Sequence, residues 1–356
     1  MSALEFKHDW DTTKARWTAW WNRELTDGPL LGISAPRKKP LPSESPPPIS
    51  TPFSRWLDRD AILSRAESQF ARNASLDGGF PSVAAGLGPG SMGVFLGAEP
   101  VFDHATVWYK PCFDDIRAAN LSINRKSQWW QWTLDFTRRA VARAQGRYLV
   151  GIPDLIENLD TLAALLENEK LLYYLVDAPA EVHRLQEQLL PLWFEAFDEL
   201  YELVKGPEGG HVFTPFMVWA PGKLAKLQCD FSAMISPDMF AEFVLPYLQK
   251  QCDRLDYSLY HLDGPSAVGH LDLLLSIDSL DCIQWTPGAG QPSAGDPTWD
   301  KIHRKVLDAG KLIWAGMTPA EVRPFVKRLG KKYAYLCANT KTEDDALRLI
   351  VETRSA

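Results

Sequence analysis

The chain lacks the features that send a protein to a membrane, into a disulfide framework or onto a nucleic acid. It contains no stretch of about 18 uninterrupted apolar residues, the length a spanning helix needs. Its opening, MSALEFKHDW, has no charged segment followed by an apolar run of the kind a secretory leader carries. A cytoplasmic location and no membrane partner are the expectation. The cysteines are few and odd in number: Cys112, Cys229, Cys252, Cys282 and Cys337 are widely scattered. That argues for reduced thiols, any of which is free to serve as a ligand. There is no basic tract, and a formal net charge of -7 offers no general attraction to phosphate backbones, so nucleic acid is not an expected partner. No GxGxxG follows the first strand pattern, which counts against a dinucleotide site. The Gly-rich stretch FPSVAAGLGPGSMG (80–93) ends without the Lys-Ser/Thr of a phosphate loop.

What is present is apolar residue in quantity and a regular rhythm. With 356 residues, 46% of them hydrophobic, the chain can bury one large core, and it reads as a single domain over 1–356. A helical N-terminal extension (1–29) carries WDTTKARWTAWWNRELT, and part of the total of 14 tryptophans. Such flat side chains suit either a pocket wall or ordinary core filling. An apolar strand over 30–34 leads into APRKKPLPSESPPPISTP, a proline-rich loop (35–52) that cannot form regular structure and has the composition of a flap. From Tyr148 onward short apolar runs alternate with helical stretches: YLVGIPDL, HVFTPFM, LAKLQCDF, SLYHLD, LDCIQWTP, KLIWAG and YAYLCANT. That alternation predicts βαβ units and a parallel sheet. With the strands near 30–34 and 80–84 the count approaches eight, which predicts an α/β fold of the (β/α)8 TIM-barrel type.

Barrel chemistry sits where strands end and helices begin. The polar residues at those positions are Arg37, Asp154 in GIPDL, Asp230 in LQCDF, His261 and Asp263 in YHLDG, Gln284 and Trp285 in IQWTPG, and Cys337 with Asn339 in YLCAN. Asp154, Asp230 and His261 are the candidate catalytic groups. Arg37, Gln284, Trp285 and Asn339, with Trp108 and Lys110 of TVWYKP, are the candidate substrate-binding residues. Asp154 and Asp263 also fit helix N-caps, and TVWYKP also fits a surface hairpin. The sharper constellation is His261, Asp263 and Cys337: an imidazole, a carboxylate and a thiol on strand ends are acceptable zinc ligands, with a fourth position left for substrate, water or Gln284. A small buried cysteine that only packs is the plainer reading of Cys337.

Five stretches resemble the uroporphyrinogen decarboxylase superfamily: LQCDFSAMISPDMFAEFVLPYLQKQ (227–251), YHLDGPSAVGHLDLLL (260–275), IQWTPGAG (283–290), GLGPG (86–90) and GIPDLIENLDTLAALL (151–166). The resemblance implies a (β/α)8 barrel. It implies either a cofactor-free decarboxylase or a zinc-dependent methyltransferase that exchanges a methyl group with a methylcorrinoid carrier protein. The methyltransferases hold zinc with a His-x-Cys pair and a cysteine near the last strand. His261 and Cys337 fall at the outer two of those positions, with Asp263 in place of the middle cysteine. The decarboxylases carry an Arg-Gln-Ala-Gly-Arg loop that grips substrate carboxylates; here the corresponding stretch is GISAPRKKP. A zinc-dependent methyltransferase-type enzyme is therefore the leading expectation. A decarboxylase using Asp154 or Asp230, with Arg37 and Lys110 on carboxylates, comes second, and a catalytically silent small-molecule-binding barrel third.

Overall fold

A computed structural model describes residues 4–355. The strands, in chain order, are β1 (Leu30–Pro36), β2 (Asn73–Asp77), β3 (Ser82–Ala84), β4 (Glu99–Phe102), β5 (Val107–Lys110), β6 (Leu149–Gly151), β7 (His211–Phe213), β8 (Val218–Ala220), β9 (Leu224–Gln228), β10 (Tyr257–Asp263), β11 (Cys282–Thr286), β12 (Leu312–Gly316) and β13 (Ala334–Asn339). The fold is α/β. A seven-stranded sheet runs in the order β2-β1-β13-β12-β11-β10-β9, parallel except where β2 pairs antiparallel with β1. Three two-stranded pieces accompany it: parallel β3-β6, and the antiparallel hairpins β4-β5 and β7-β8. TVWYKP thus lies in a hairpin, as its plainer reading had it.

Side chains of a strand alternate between faces, and here the alternation divides the protein into two cores. Tyr260, Leu262, Ile283, Trp285, Ile313, Ala315, Leu336 and Ala338 face the helices and belong to one large apolar cluster. Leu30, Leu224, Leu259, Cys282, Leu312, Tyr335 and Cys337 turn to the other face and pack with the N-terminal tryptophans. The helix Trp10–Trp21 places Trp10, Trp17, Trp20 and Trp21 in this inner cluster, edge-on to one another and to Phe80, Trp219 and Tyr335. Trp17 donates to Gly78 O and Trp21 to Trp219 O, so their polar atoms are satisfied while the rings are buried. These tryptophans fill core. Further along each strand the inward positions become polar: Lys226 and Gln228 after Leu224, His261 and Asp263 after Leu259, Gln284 and Thr286 after Cys282. The apolar residues at strand entry anchor the sheet, and the polar ones at strand exit form the site.

The proline-rich loop does not line that site. Its backbone is tied to the helix Arg59–Arg72 through Arg37 N to Arg72 O and Leu41 N to Ala71 O, and Lys38 pairs with Asp344 at 2.6 Å.

One inner-core residue makes stability depend on pH. His211 is buried, donates from Nδ1 to Leu224 O, and meets the edges of Phe197 and Tyr201. Burial pushes it down to about 4. An unfolded imidazole titrates near 6.5, so between roughly pH 6.5 and 4 the unfolded chain binds a proton that the folded chain refuses. Stability must fall with pH across that window, by about 3 kcal/mol at the acid end. His211→Asn keeps a donor for Leu224 O and removes the titration. Its urea-unfolding free energy is expected to drop by about 2–3 kcal/mol less than wild type between pH 8 and 4.5.

Candidate functional site

The segment after β6 bends sharply to reach the strand exits. Ile156 has φ +37° and Asn158 φ +53°, both in the left-handed region that a β-branched residue in particular avoids. This backbone turns Glu157 inward, where it is 1% exposed and accepts from Gln228 N. Asp160, one turn on, accepts from the backbone N–H of Asp230 and Phe231 at 2.8 Å each and from Gln228 Nε2 at 3.0 Å. Asp154 pairs with Lys226 at 2.8 Å, and Lys226 also bonds Gln228 Oε1. One lysine, itself 5% exposed, is thus the counter-charge for a ring of carboxylates delivered by two loops.

On β10 and β11 the geometry fixes a tautomer. Gln284 Nε2 donates to Thr286 Oγ1 at 2.7 Å, which turns Gln284 Oε1 toward His261 Nδ1. That oxygen can only accept, so Nδ1 carries the hydrogen and Nε2 keeps its lone pair. Burial pushes His261 below its ordinary value, against the opposing effects of Gln284 and Asp263, so the ring is neutral at neutral pH. Among the described residues, Asp230, His261 and Asp263 each bring a ligand atom within 4.8 Å of the others. Asp230 is pushed up to about 7, first by burial and then by the charge of Asp160, with Asp263 and Asp154 adding to it and Lys226 opposing. A carboxyl held up by burial and by neighbouring carboxylates is one that a cation would stabilise in the ionised form.

Asp230 opens onto a cavity of about 480 Å³ whose wall includes Asp160, Gln228, Phe231, Met234, Trp108 and Tyr109. Trp108 stands on this wall, 65% exposed. Tyr109 ties down the Gly-rich turn, accepting from Gly90 N at 2.8 Å and donating to Leu87 O at 2.9 Å.

Several expected site residues lie elsewhere. Cys337 does not join the Asp230–His261–Asp263 group. A contact path of Phe216 on His261, Trp314 on Phe216 and Tyr335 on Trp314 fills the space between β10 and β13. The Cys337 thiol packs beside Gly32 and Tyr335, and burial pushes it up to about 12. Trp285 points to the helix layer, 1% exposed and edge-on to Trp299, because it is one residue out of step with inward-facing Gln284. The Arg37 guanidinium is spent on the backbone carbonyls of Phe6 and Phe70. Lys110 is exposed, opposite Glu99 on the β4-β5 hairpin, and Asn339 is exposed at the end of β13 beside Ser34. Neither lines the cavity. The strand-end reading missed Lys226, Gln228, Glu157 and Asp160. The signal for the first two was available in LAKLQCDF, where polar residues stand at alternate positions of an otherwise apolar strand.

No protein-family profile and no curated protein sequence matches the chain. Among solved structures it is similar to a methyltransferase from Methanosarcina mazei, with a TM-score of 0.57, over 97% of this chain and 98% of that one, at 12% sequence identity. At that identity the likeness is one of fold.

Proposed function

We propose that this protein is a metal-dependent methyltransferase-type enzyme with zinc as its metal, held by Asp230, His261 and Asp263. The observation that carries the reading is the approach of two carboxylates, Asp230 and Asp263, to within 4.8 Å of the ligand atom of a half-buried imidazole whose Nδ1 is bonded to Gln284. Ligating histidines characteristically use their second nitrogen in this way. One nitrogen and two oxygens are a donor set that zinc accepts, and three protein ligands leave a position for substrate or water. The raised Asp230 fits a site designed around a cation. The fold-level likeness to a methyltransferase supports the reaction class. The resemblance to the uroporphyrinogen decarboxylase superfamily supports a methylcorrinoid protein as the carrier. The strands are read as a closed (β/α)8 barrel: β6 lies against β7 and β7 against β9, bridging the sheet toward β3.

When bound, zinc would act as a Lewis acid on the methyl acceptor or donor. The chain's own residues supply the rest. Gln284 sets the His261 tautomer, Gln228 spans Asp160 and Asp230, and Lys226 holds Asp154. Phe216 and Trp314 wall off the side of His261 toward β13, while Trp108 and Met234 give the cavity an apolar rim. Gripping a polyacid would call for cations here. Among the described residues the cavity wall has no lysine, arginine or histidine, which favours the methyltransferase reading over the decarboxylase one.

Metal analysis of protein purified without chelator tests the reading, followed by an assay of methyl transfer from methylcobalamin to added thiols and other nucleophiles, in which the nucleophile takes the methyl group and cob(I)alamin leaves. About one zinc per chain and zinc-dependent loss of the methyl group are expected. Cys337→Ser is expected to keep its zinc and lose only about 1 kcal/mol of stability, as a packing residue does. Metal-free protein that still turns over would sink the proposal, and metal-free protein that only binds small molecules would favour a silent barrel.

A further inference from the structure

Behind the site, three residues from three separate parts of the chain each carry a buried polar atom with no partner in the protein, and all three border the same small chamber. The atoms are Glu157 Oε2, Gln251 Nε2 of the helix Leu245–Arg254, and Trp193 Nε1 of the helix Pro179–Val204. Their residues are 1%, 1% and 2% exposed, and all three line one small chamber of about 10 Å³. Leaving one such atom unpaired costs about 1–3 kcal/mol, so three together at one place demand an explanation. The chamber has the volume that one water needs, and the polar groups number about what a buried water uses.

We propose that the chamber holds one water molecule, which accepts from Trp193 Nε1–H and Gln251 Nε2–H and donates to Glu157 Oε2. The donor count then bears on the state of Glu157. Its Oε1 accepts from Gln228 N and its Oε2 from the water, so a hydrogen on Oε2 would find no acceptor in the protein, and the arrangement suits a carboxylate. Burial, with the charges of Asp154 and Asp160, drives Glu157 toward its neutral form, and Lys226 and the Gln228 N–H oppose it. The water adds a third opposing element. It makes Glu157 a positioning residue: the strained turn at Ile156 and Asn158 aims it, two outer helices hold it through the water, and it fixes the backbone of Gln228, whose side chain bridges Asp160 and Asp230.

Two measurements on the full chain test this. In nuclear magnetic resonance of wild type, the indole proton of Trp193, identified by its loss in Trp193→Phe, is expected to show a cross-relaxation peak to a long-lived bound water. Its absence would overturn the proposal. In infrared difference spectra between wild type and Glu157→Gln at neutral pH, the carbonyl stretch of a protonated carboxyl is expected to be unchanged, because none is lost. A protonated-carboxyl band present in wild type and missing from the variant would also overturn it. Neither readout moves with a merely packed Glu157, and the first needs no altered residue at the site.

Discussion

His261→Ala is expected to purify folded and without its metal. The substitution removes the only nitrogen donor of the Asp230–His261–Asp263 group and leaves two carboxylates with no imidazole between them. Loss of an outer-shell partner alone costs about 10–100-fold in metal affinity, so loss of the ligand itself is expected to exceed about 100-fold. If zinc contributes several kcal/mol of charge stabilisation to methyl transfer, the rate should fall by about 10³-fold. Gln284→Leu provides the graded comparison. It keeps the imidazole but frees its tautomer, so zinc affinity should drop by about 10–100-fold and added zinc should restore activity, as it cannot in His261→Ala. Both residues are at strand exits beyond the apolar layer of Leu259 and Cys282, so unfolding midpoints should stay near wild type. The measurements are metal content, zinc titration against a chelating indicator, and demethylation of methylcobalamin. Wild-type zinc content in His261→Ala would end the assignment of this residue as a ligand.

His261 and Asp263 were legible from the sequence because HLD closes a strand with a Gly-Pro turn behind it. The α/β alternation was legible for the same reason, since apolar runs bounded by turn residues carry their own period. Cys337 was not, because its environment is decided by residues remote in sequence. The ring of Phe216, from a short turn after β7, and that of Trp314 on β12 meet between it and His261. Trp285 was misplaced by a single residue: strand parity decides whether a side chain meets the cavity or the helices, and a motif read as a block ignores parity. Asp160 looked like one acidic residue in an apolar helix, NLDTLAALL. Only the approach of β9 reveals that its carboxylate collects the backbone N–H groups of Asp230 and Phe231.

Lys226→Met is expected to be the most destabilising single change at the site. Methionine fits the volume of the lysine stem, so the effect isolates the charge. Lys226 Nζ is bonded to Asp154 and Gln228, and its charge also opposes the upward push on Glu157 and Asp230. Removing one partner of a buried ionic group leaves the others uncompensated, at about 3–5 kcal/mol, which lowers the melting temperature of a chain this long by roughly 4–7 °C. The sign of the pH dependence follows. Glu157 and Asp230 already bind protons more tightly folded than unfolded, and losing the lysine strengthens this, so the variant gains more stability than wild type as pH falls. The deficit relative to wild type should therefore be largest above pH 7 and shrink toward pH 5. The double variant Lys226→Met with Asp154→Asn removes both members of the closest pair and should recover more than half of the loss, because a buried ion pair replaced as a pair is often nearly neutral. A Lys226→Met protein within about 1 kcal/mol of wild type at pH 8, with no recovery at lower pH, would mean that the carboxylates around it are already neutral.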